Sequence, residues 1–201
     1  MTDQTARLLI VGPQGSGKGT QGVRIADAFG VPAISTGDMF RAAVAAGSDL
    51  GNQVKALIEA GNLVPDELTS AVVAERLAQD DAANGFLLDG YPRNLGQVAD
   101  LDAFLAGRDE KIDAVIELNV PREESISRLT QRAREQGRTD DTEEVIANRL
   151  SIYERETAPI LDVYRERGVV DTIDGVGSLD EITERIVAAL EARGLARRAL
   201  A

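Results

Sequence analysis

The sequence predicts an α/β fold, a parallel five-stranded sheet flanked by helices, in a single domain covering residues 1–201. Three observations lead there. Five short apolar runs alternate along the chain with helical patterns. Hydrophobic residues make up 43% of the chain but aromatics only 3%, with no Trp, so the core must be built from Val, Ile, Leu and Ala, the usual lining of parallel sheets covered by helices. A length of 201 residues supports one well-buried core with small inserts and is short for two full domains.

The first run, Leu8 to Val11, ends at Gly12 and Pro13 and reads as a buried strand entering a turn. From Lys18 onward Val23, Ile25, Ala26 and Phe29 form a helical apolar face, stopped by Gly30 and Pro32. Ala33 to Ser35 is the second strand. Residues 36–64 hold two short helical patterns, split near Gly47 and Gly51 and closed by Gly61, which make a small helical insert. Asp66 is expected to cap the next helix, whose apolar pairs Leu68/Val72 and Val73/Leu77 are spaced four apart. Phe86 to Leu88 form the third strand and deliver Asp89 at its carboxyl end. A helix from about Leu95 to Leu105, a strand from Ile112 to Leu118 and a helix opened by Pro121 continue the alternation. Asp141 and Glu144 have capping-box spacing for a long helix with the stripe Ile146, Leu150, Tyr153, Thr157, Ile160, Tyr164, which Pro159 should kink or divide. A strand from Val169 to Ile173 and a helix ending at Gly194 complete the pattern, with no internal repeat, and the tail with Arg193, Arg197 and Arg198 is expected to be frayed and carries no assigned function.

Composition removes several kinds of chemistry. With no Cys and no His there are no disulfides, thiolates, imidazole bases or nitrogen- and sulfur-ligated zinc sites, so a metal must be bound by oxygen, which favours Mg²⁺. A formal charge of -12 opposes broad nucleic-acid binding. No apolar run approaches the ~18 residues of a membrane span and the N-terminus has no apolar leader core, so the expected location is cytoplasmic. Lysine occurs only at 18, 55 and 111, leaving Arg, whose planar fork grips phosphate oxygens in pairs, as most of the 22 basic residues.

The sharpest motif is Gly12-Pro13-Gln14-Gly15-Ser16-Gly17-Lys18, a G-x-x-x-x-G-K phosphate-binding loop between a strand and a helix. Its glycines let successive backbone N–H groups turn around a phosphate, the helix N-terminus points there, and Lys18 reaches the outer oxygens. Gly19 follows the lysine, so the hydroxyl comes one residue late, at Thr20. Asp89 taken alone serves equally well as a helix cap or as a Mg²⁺ carboxylate; beside such a loop the Mg²⁺ role, direct or through water, is the better reading. Arg128 and Arg132 lie four apart on one helix face, a spacing that by itself fits a solvated face but whose like-charge repulsion a bound anion would relieve. Phosphoryl transfer to another phosphate needs alignment and charge neutralisation rather than a general base, which suits a chain without His.

These residues, in order and along nearly the whole chain, resemble the adenylate kinases. Gly12 to Gln21 resembles that family's loop, including Gly19-Thr20; Ser35 to Arg41 resembles the start of its monophosphate-binding insert (residues 35–64); Asp89 to Arg93 with Gln97 resembles the segment that closes over AMP; and Gly137 to Asp141 resembles the far edge of its lid (residues 131–141). The resemblance implies a P-loop kinase that moves the γ-phosphoryl of Mg·ATP reversibly onto AMP, giving two ADP, and acts as a monomer with no nucleic acid or membrane partner. Carried over, Gly15, Ser16, Gly17, Lys18, Gly19, Thr20, Arg128, Arg132 and the backbone from Gly175 to Gly177 would bind ATP. Thr36, Arg41, Val64, Gly90, Arg93, Gln97, Arg138 and Arg149 would bind AMP, Thr36 and Gln97 at the adenine. Lys18, Arg93, Arg128, Arg138 and Arg149 would surround the transferring group. Only Ala133 to Gly137 separate Arg132 from Arg138, so the lid is the short form and carries no zinc ligands. Short lids also occur in UMP/CMP kinases, the alternative reading, but those typically have a smaller Ala and an Asn where this chain has Thr36 and Gln97. A GTPase-type switch would need an Asn-Lys-x-Asp guanine reader, and the three lysines follow Gly, Val and Glu.

Overall fold

A computed structural model describes residues 5–136 and 142–198. β1 (Ala6–Val11), β2 (Ala33–Ser35), β3 (Gly85–Asp89), β4 (Ala114–Asn119) and β5 (Val170–Asp174) form one sheet in the order β2-β3-β1-β4-β5, with every pair parallel. The strand runs are apolar at nearly every position because both faces are covered. Leu8, Ile10, Leu87 and Ile116 point to one side, where α1 (Lys18–Phe29) and α9 (Leu179–Ala192) bring Ile25, Phe29, Ile186 and Leu190. Leu9, Leu88 and Val115 point to the other, against Val73 and Leu77 of α4 (Asp66–Leu77), Leu101 and Leu105 of α5 (Leu95–Ala106), and Tyr164 of α8 (Ile160–Glu166).

β1 and β3 are neighbours, with Ile10 in register with Asp89. The connection after β1 heads towards β2 at one edge while that after β3 crosses to β4 on the far side, which opens a crevice beyond the carboxyl ends of these two strands. Between β2 and α4 lie two short helices, α2 (Thr36–Ala45) and α3 (Asp49–Glu59), an insert that packs on Phe40, Val54 and Val64 and meets the main body through Leu68 and Val72 of α4. α6 (Arg122–Gln136) meets α7 (Glu143–Ile152) through Leu129, Ile146 and Leu150. Among the described residues no helix is long and apolar enough to cross a membrane.

Several local expectations change. Val23 is 62% exposed, because the buried stripe of α1 runs through Ile25, Ala26 and Phe29 without it. Pro65, not Asp66, occupies the cap position of α4, and the Asp66 carboxylate turns instead to two amide side chains of another helix. Thr142 caps α7 through the Val145 N–H, one residue after the expected Asp141, which lies outside the described residues. Pro121 stands immediately before α6 and opens it, its carbonyl accepting the Ser125 N–H at 3.0 Å. The tail expected to be frayed is instead tied down: Arg193 pairs with Asp171 and donates to the Gly168 and Val170 carbonyls, and the Arg198 N–H donates to the Ala28 carbonyl at 2.8 Å. The division expected at Pro159 is present, preceded by a π-helical turn over Tyr153–Thr157.

Gly51 does not break the insert but lies inside α3, where a Cβ would come within 2.1 Å of the Ala43 carbonyl oxygen. The close approach of α2 and α3 therefore depends on a bare backbone. Helix propensity alone favours Gly51→Ala by up to ~1 kcal/mol, whereas this contact reverses the sign and costs about 1–3 kcal/mol. Urea denaturation should show Gly51→Ala to be less stable than the parent; equal or greater stability would contradict the packing described.

Candidate active site

The loop that follows β1 is held by contacts that exclude side chains. A Cβ on Gly12 would sit 2.8 Å from the Leu118 carbonyl oxygen, and one on Gly15, whose φ is +82°, 2.4 Å from that of Ser125. The loop is thus wedged between the end of β4 and α6, and its shape is set before any ligand arrives. Gly17 starts α1 with φ +94° and offers no side-chain cap, leaving the first N–H groups of the helix to a ligand. Ser16 Oγ is buried without a hydrogen-bond partner among the described residues. Lys18 folds back over the loop and donates from Nζ to the carbonyls of Gly12 and Pro13, both at 2.8 Å.

Loss of hydration at this position pushes the Lys18 ammonium down to about 8, against the opposing pull of Asp89, with Arg93 and Arg132 adding repulsion. Burial likewise pushes the Asp89 carboxyl up, opposed by Lys18 and Arg93. Arg93 is pushed down from its ordinary value by burial and by the neighbouring Arg149 and Arg41. In a protein of net charge -12, several cations therefore converge on a point where water is scarce. An anion bound there would recover what the cations lose.

Arg93 is fixed from three directions. Its Nε donates to the Gly90 carbonyl at 2.7 Å, its backbone N–H to Gln97 Oε1 at 2.8 Å, and its carbonyl accepts from Thr157 Oγ1 at 2.7 Å. Arg41 pairs with Asp38. Arg128 donates from Nε to Glu124 at 2.7 Å and from Nη2 to the Gly175 carbonyl at 3.1 Å, which ties α6 to the segment after β5. Arg149 Nη2 reaches the Ile58 carbonyl at 3.3 Å, linking α7 to the insert. Thr36 and Gln97 are both buried, and Thr36 Oγ1 donates to the Gly90 carbonyl at 2.9 Å.

One cleft of about 890 Å³ gathers these groups. Gly15, Ser16, Gly17, Lys18, Gly19, Thr20, Arg128, Arg132 and Gly177 line it, as do Thr36, Arg41, Val64, Gly90, Arg93, Gln97 and Arg149, with Asp89 between. Arg138 lies outside the described residues, as does the lid edge from Gly137 to Asp141. Asp38 and Glu124 line the same cleft, and their spacing from Arg41 and Arg128, three and four residues, is a signal the sequence carried. Thr157 had no such signal, since it sits in an otherwise apolar helical stripe and meets Arg93 only through the tertiary fold.

The position after Lys18 bears on metal binding. A Cβ at Gly19 would stand 3.8 Å from Asp89 Oδ2, so glycine keeps that side of the carboxylate open. Among the described residues no cluster of three or more His, Cys, Asp or Glu could hold a metal. The Asp89 carboxylate, close enough to Asp38 to feel its charge, fits Mg²⁺, which keeps most of its waters and takes other ligands from a polyphosphate.

Comparison with known proteins agrees with this arrangement. The family model described as adenylate kinase matches residues 10–169. The chain is 56% identical over 188 residues to the adenylate kinase of Leifsonia xyli subsp. xyli, covering 94% of each chain. It is 56% identical over 189 residues to that of Clavibacter michiganensis subsp. michiganensis, again 94% of each, and 50% identical over 187 residues to that of Thermobifida fusca, covering 93% of this chain and 99% of the relative. With a family model matching most of the chain and relatives at 50–56% identity along nearly its whole length, and with Lys18 and several arginines lining one cleft, the chain belongs to the adenylate kinase family.

Proposed function

We propose that the protein transfers the γ-phosphoryl of ATP reversibly to AMP, giving two ADP, and that the two nucleotides lie end to end in the 890 Å³ cleft. The observation that carries this reading is the junction of the two ends. The loop cation, Lys18, meets Arg93, whose own surroundings, Gly90, Gln97 and Thr36, form a further, buried polar part of the same cleft.

ATP would lie with its phosphates on the N–H groups from Gly15 to Thr20 and its base near Gly177. Lys18 donates to its outer oxygens, and Arg128 and Arg132 approach from α6. AMP would enter beside the insert, with Arg41 and Arg93 on its phosphate and Thr36, Gln97 and the backbone of Val64 around its base. Arg149, which touches the insert, and Arg138 complete the charge around the group in transit. Asp89 would hold Mg²⁺, directly or through water, and the ion supplies charge neutralisation at the phosphate oxygens. The acceptor is already an oxyanion, so no residue has to remove a proton; the side chains align the reactants in line and exclude water. Large apolar side chains exposed among the described residues are few, Val23, Leu95, Ile126, Val176 and Leu179, which fits action as a monomer; placement in the cytoplasm is carried over from the family resemblance.

An acceptor panel tests the assignment: with Mg·ATP as donor, kcat/KM should be higher for AMP than for UMP or CMP, and the reverse order would move the chain to the pyrimidine kinases. Lys18→Met should lose kcat on the order of 10²–10³-fold while the melting curve stays cooperative, since it removes a donor at the developing charge; unchanged turnover would refute the role. Lys18 carries its charge below about 8 in the free protein. kcat/KM for ATP should therefore fall as pH rises through that value, and kcat should hold to higher pH because bound phosphate raises the lysine's pKa. A kcat/KM flat from about pH 7 to 10 would show that Lys18 is not desolvated as described.

A further inference from the structure

The Asp66 carboxylate makes two hydrogen bonds that the reaction does not call for. Its Oδ1 accepts from Asn94 Nδ2 at 2.8 Å and from Gln97 Nε2 at 2.8 Å. Asn94 in turn caps α5, its Oδ1 accepting the Gln97 N–H at 2.9 Å, so its amide has one orientation and must aim Nδ2 at Asp66. The Gln97 amide is held on both sides: Oε1 accepts from the Arg93 N–H at 2.8 Å while Nε2 donates to Asp66. A carboxylate only accepts and a backbone N–H only donates, so turning the Gln97 amide over would set oxygen against oxygen and nitrogen against nitrogen.

We infer that Asp66 sets the base specificity of the acceptor pocket by fixing the orientation of the Gln97 carboxamide. A glutamine amide has two N–H groups and two lone pairs on its oxygen. One of each is taken by Asp66 and Arg93, which leaves one donor and one acceptor in a fixed order on the side chain that lines the cleft. That order matches a 6-aminopurine, which presents an amino N–H at position 6 and a lone pair at N1. A 6-oxopurine presents the reverse, a carbonyl oxygen and an N1–H, and would be accepted only by the overturned amide. Asp66 supplies one of the two contacts that forbid that turn. It is a positioning residue, 31 positions from Gln97 in sequence and placed by the packing of α4 on α5. The inference rests on the proposed placing of the acceptor base at Gln97.

The test compares AMP with IMP, which differ at these two atoms. Asp66→Ala removes the carboxylate's half of the lock and leaves only the Arg93 N–H, and Asp66→Ser replaces the carboxylate with a hydroxyl that can donate or accept and so tolerates either amide orientation. Both should lower the ratio of kcat/KM for AMP over IMP by about tenfold or more. Asp66→Asn keeps an oxygen that accepts two hydrogen bonds, and Asn94 Nδ2 holds that oxygen in place, so its ratio should stay near the parent's. A merely structural role would depress AMP and IMP use alike and leave the ratio unmoved. The inference is overturned if folded truncations keep the parental ratio, or if Asp66→Asn relaxes it as far as they do. Should the parent protein fail to prefer AMP over UMP and CMP, the acceptor assignment itself fails, an outcome distinct from either of these.

Discussion

The architecture is organised around a charge problem. Lys18, Arg93 and their neighbours are brought together where hydration is poor, and the carboxylate of Asp89 between them compensates only in part. The site holds cations that would each be better solvated elsewhere; phosphates placed there would turn the same desolvation into strong attraction. Backbone rigidity makes this arrangement possible. Gly12 and Gly15 are wedged against β4 and α6, so the loop does not relax around its own lysine.

The sheet supplies the juxtaposition. Because β1 and β3 are adjacent and in register from Ala6 opposite Gly85 to Ile10 opposite Asp89, the phosphate loop and the carboxylate leave neighbouring strands at the same edge. The crossover after β3 carries the next strand to the other side, so no connection fills the crevice between them. Three separately packed clusters then bring the remaining cations: the insert core carries Arg41, the α6–α7 contact carries Arg128, Arg132 and Arg149, and the main core fixes Arg93 through Thr157 and Gln97. Arg149, hydrogen-bonded to Ile58, and Gly61, packed against Val145, connect the insert to α7 across the cleft.

Much of this was legible in the sequence because it is local. All five strands show as short apolar runs, and each lies within a few residues of its expected range. Among the described residues each expected site residue lines one cleft, except Gly175 and Val176 of the segment after β5. What could not be read depends on tertiary partners. Asp66 has the position of a helix cap in sequence, but its carboxylate serves two amides on α5, a choice that depends on how α4 packs. Gly51 resembles a helix breaker and is instead a close-contact glycine inside α3, since only the path of α2 shows that Ala43 lies against it. Val23 fits a helical apolar spacing yet faces solvent, because α1 has one covered side and that side is set by the sheet.

The central claim is that one desolvated cationic junction serves two nucleotides at once. A crystal structure with a bisubstrate dinucleotide, two adenosines joined by a polyphosphate, addresses it most directly. A single bound molecule is expected, its phosphates running from the Gly15–Thr20 amides past Lys18 to Arg93, with one adenine at Gln97 and the other beside Gly177. A dinucleotide anchored at the loop alone, with its second adenosine in solvent and the pocket around Gln97 unchanged, would contradict it.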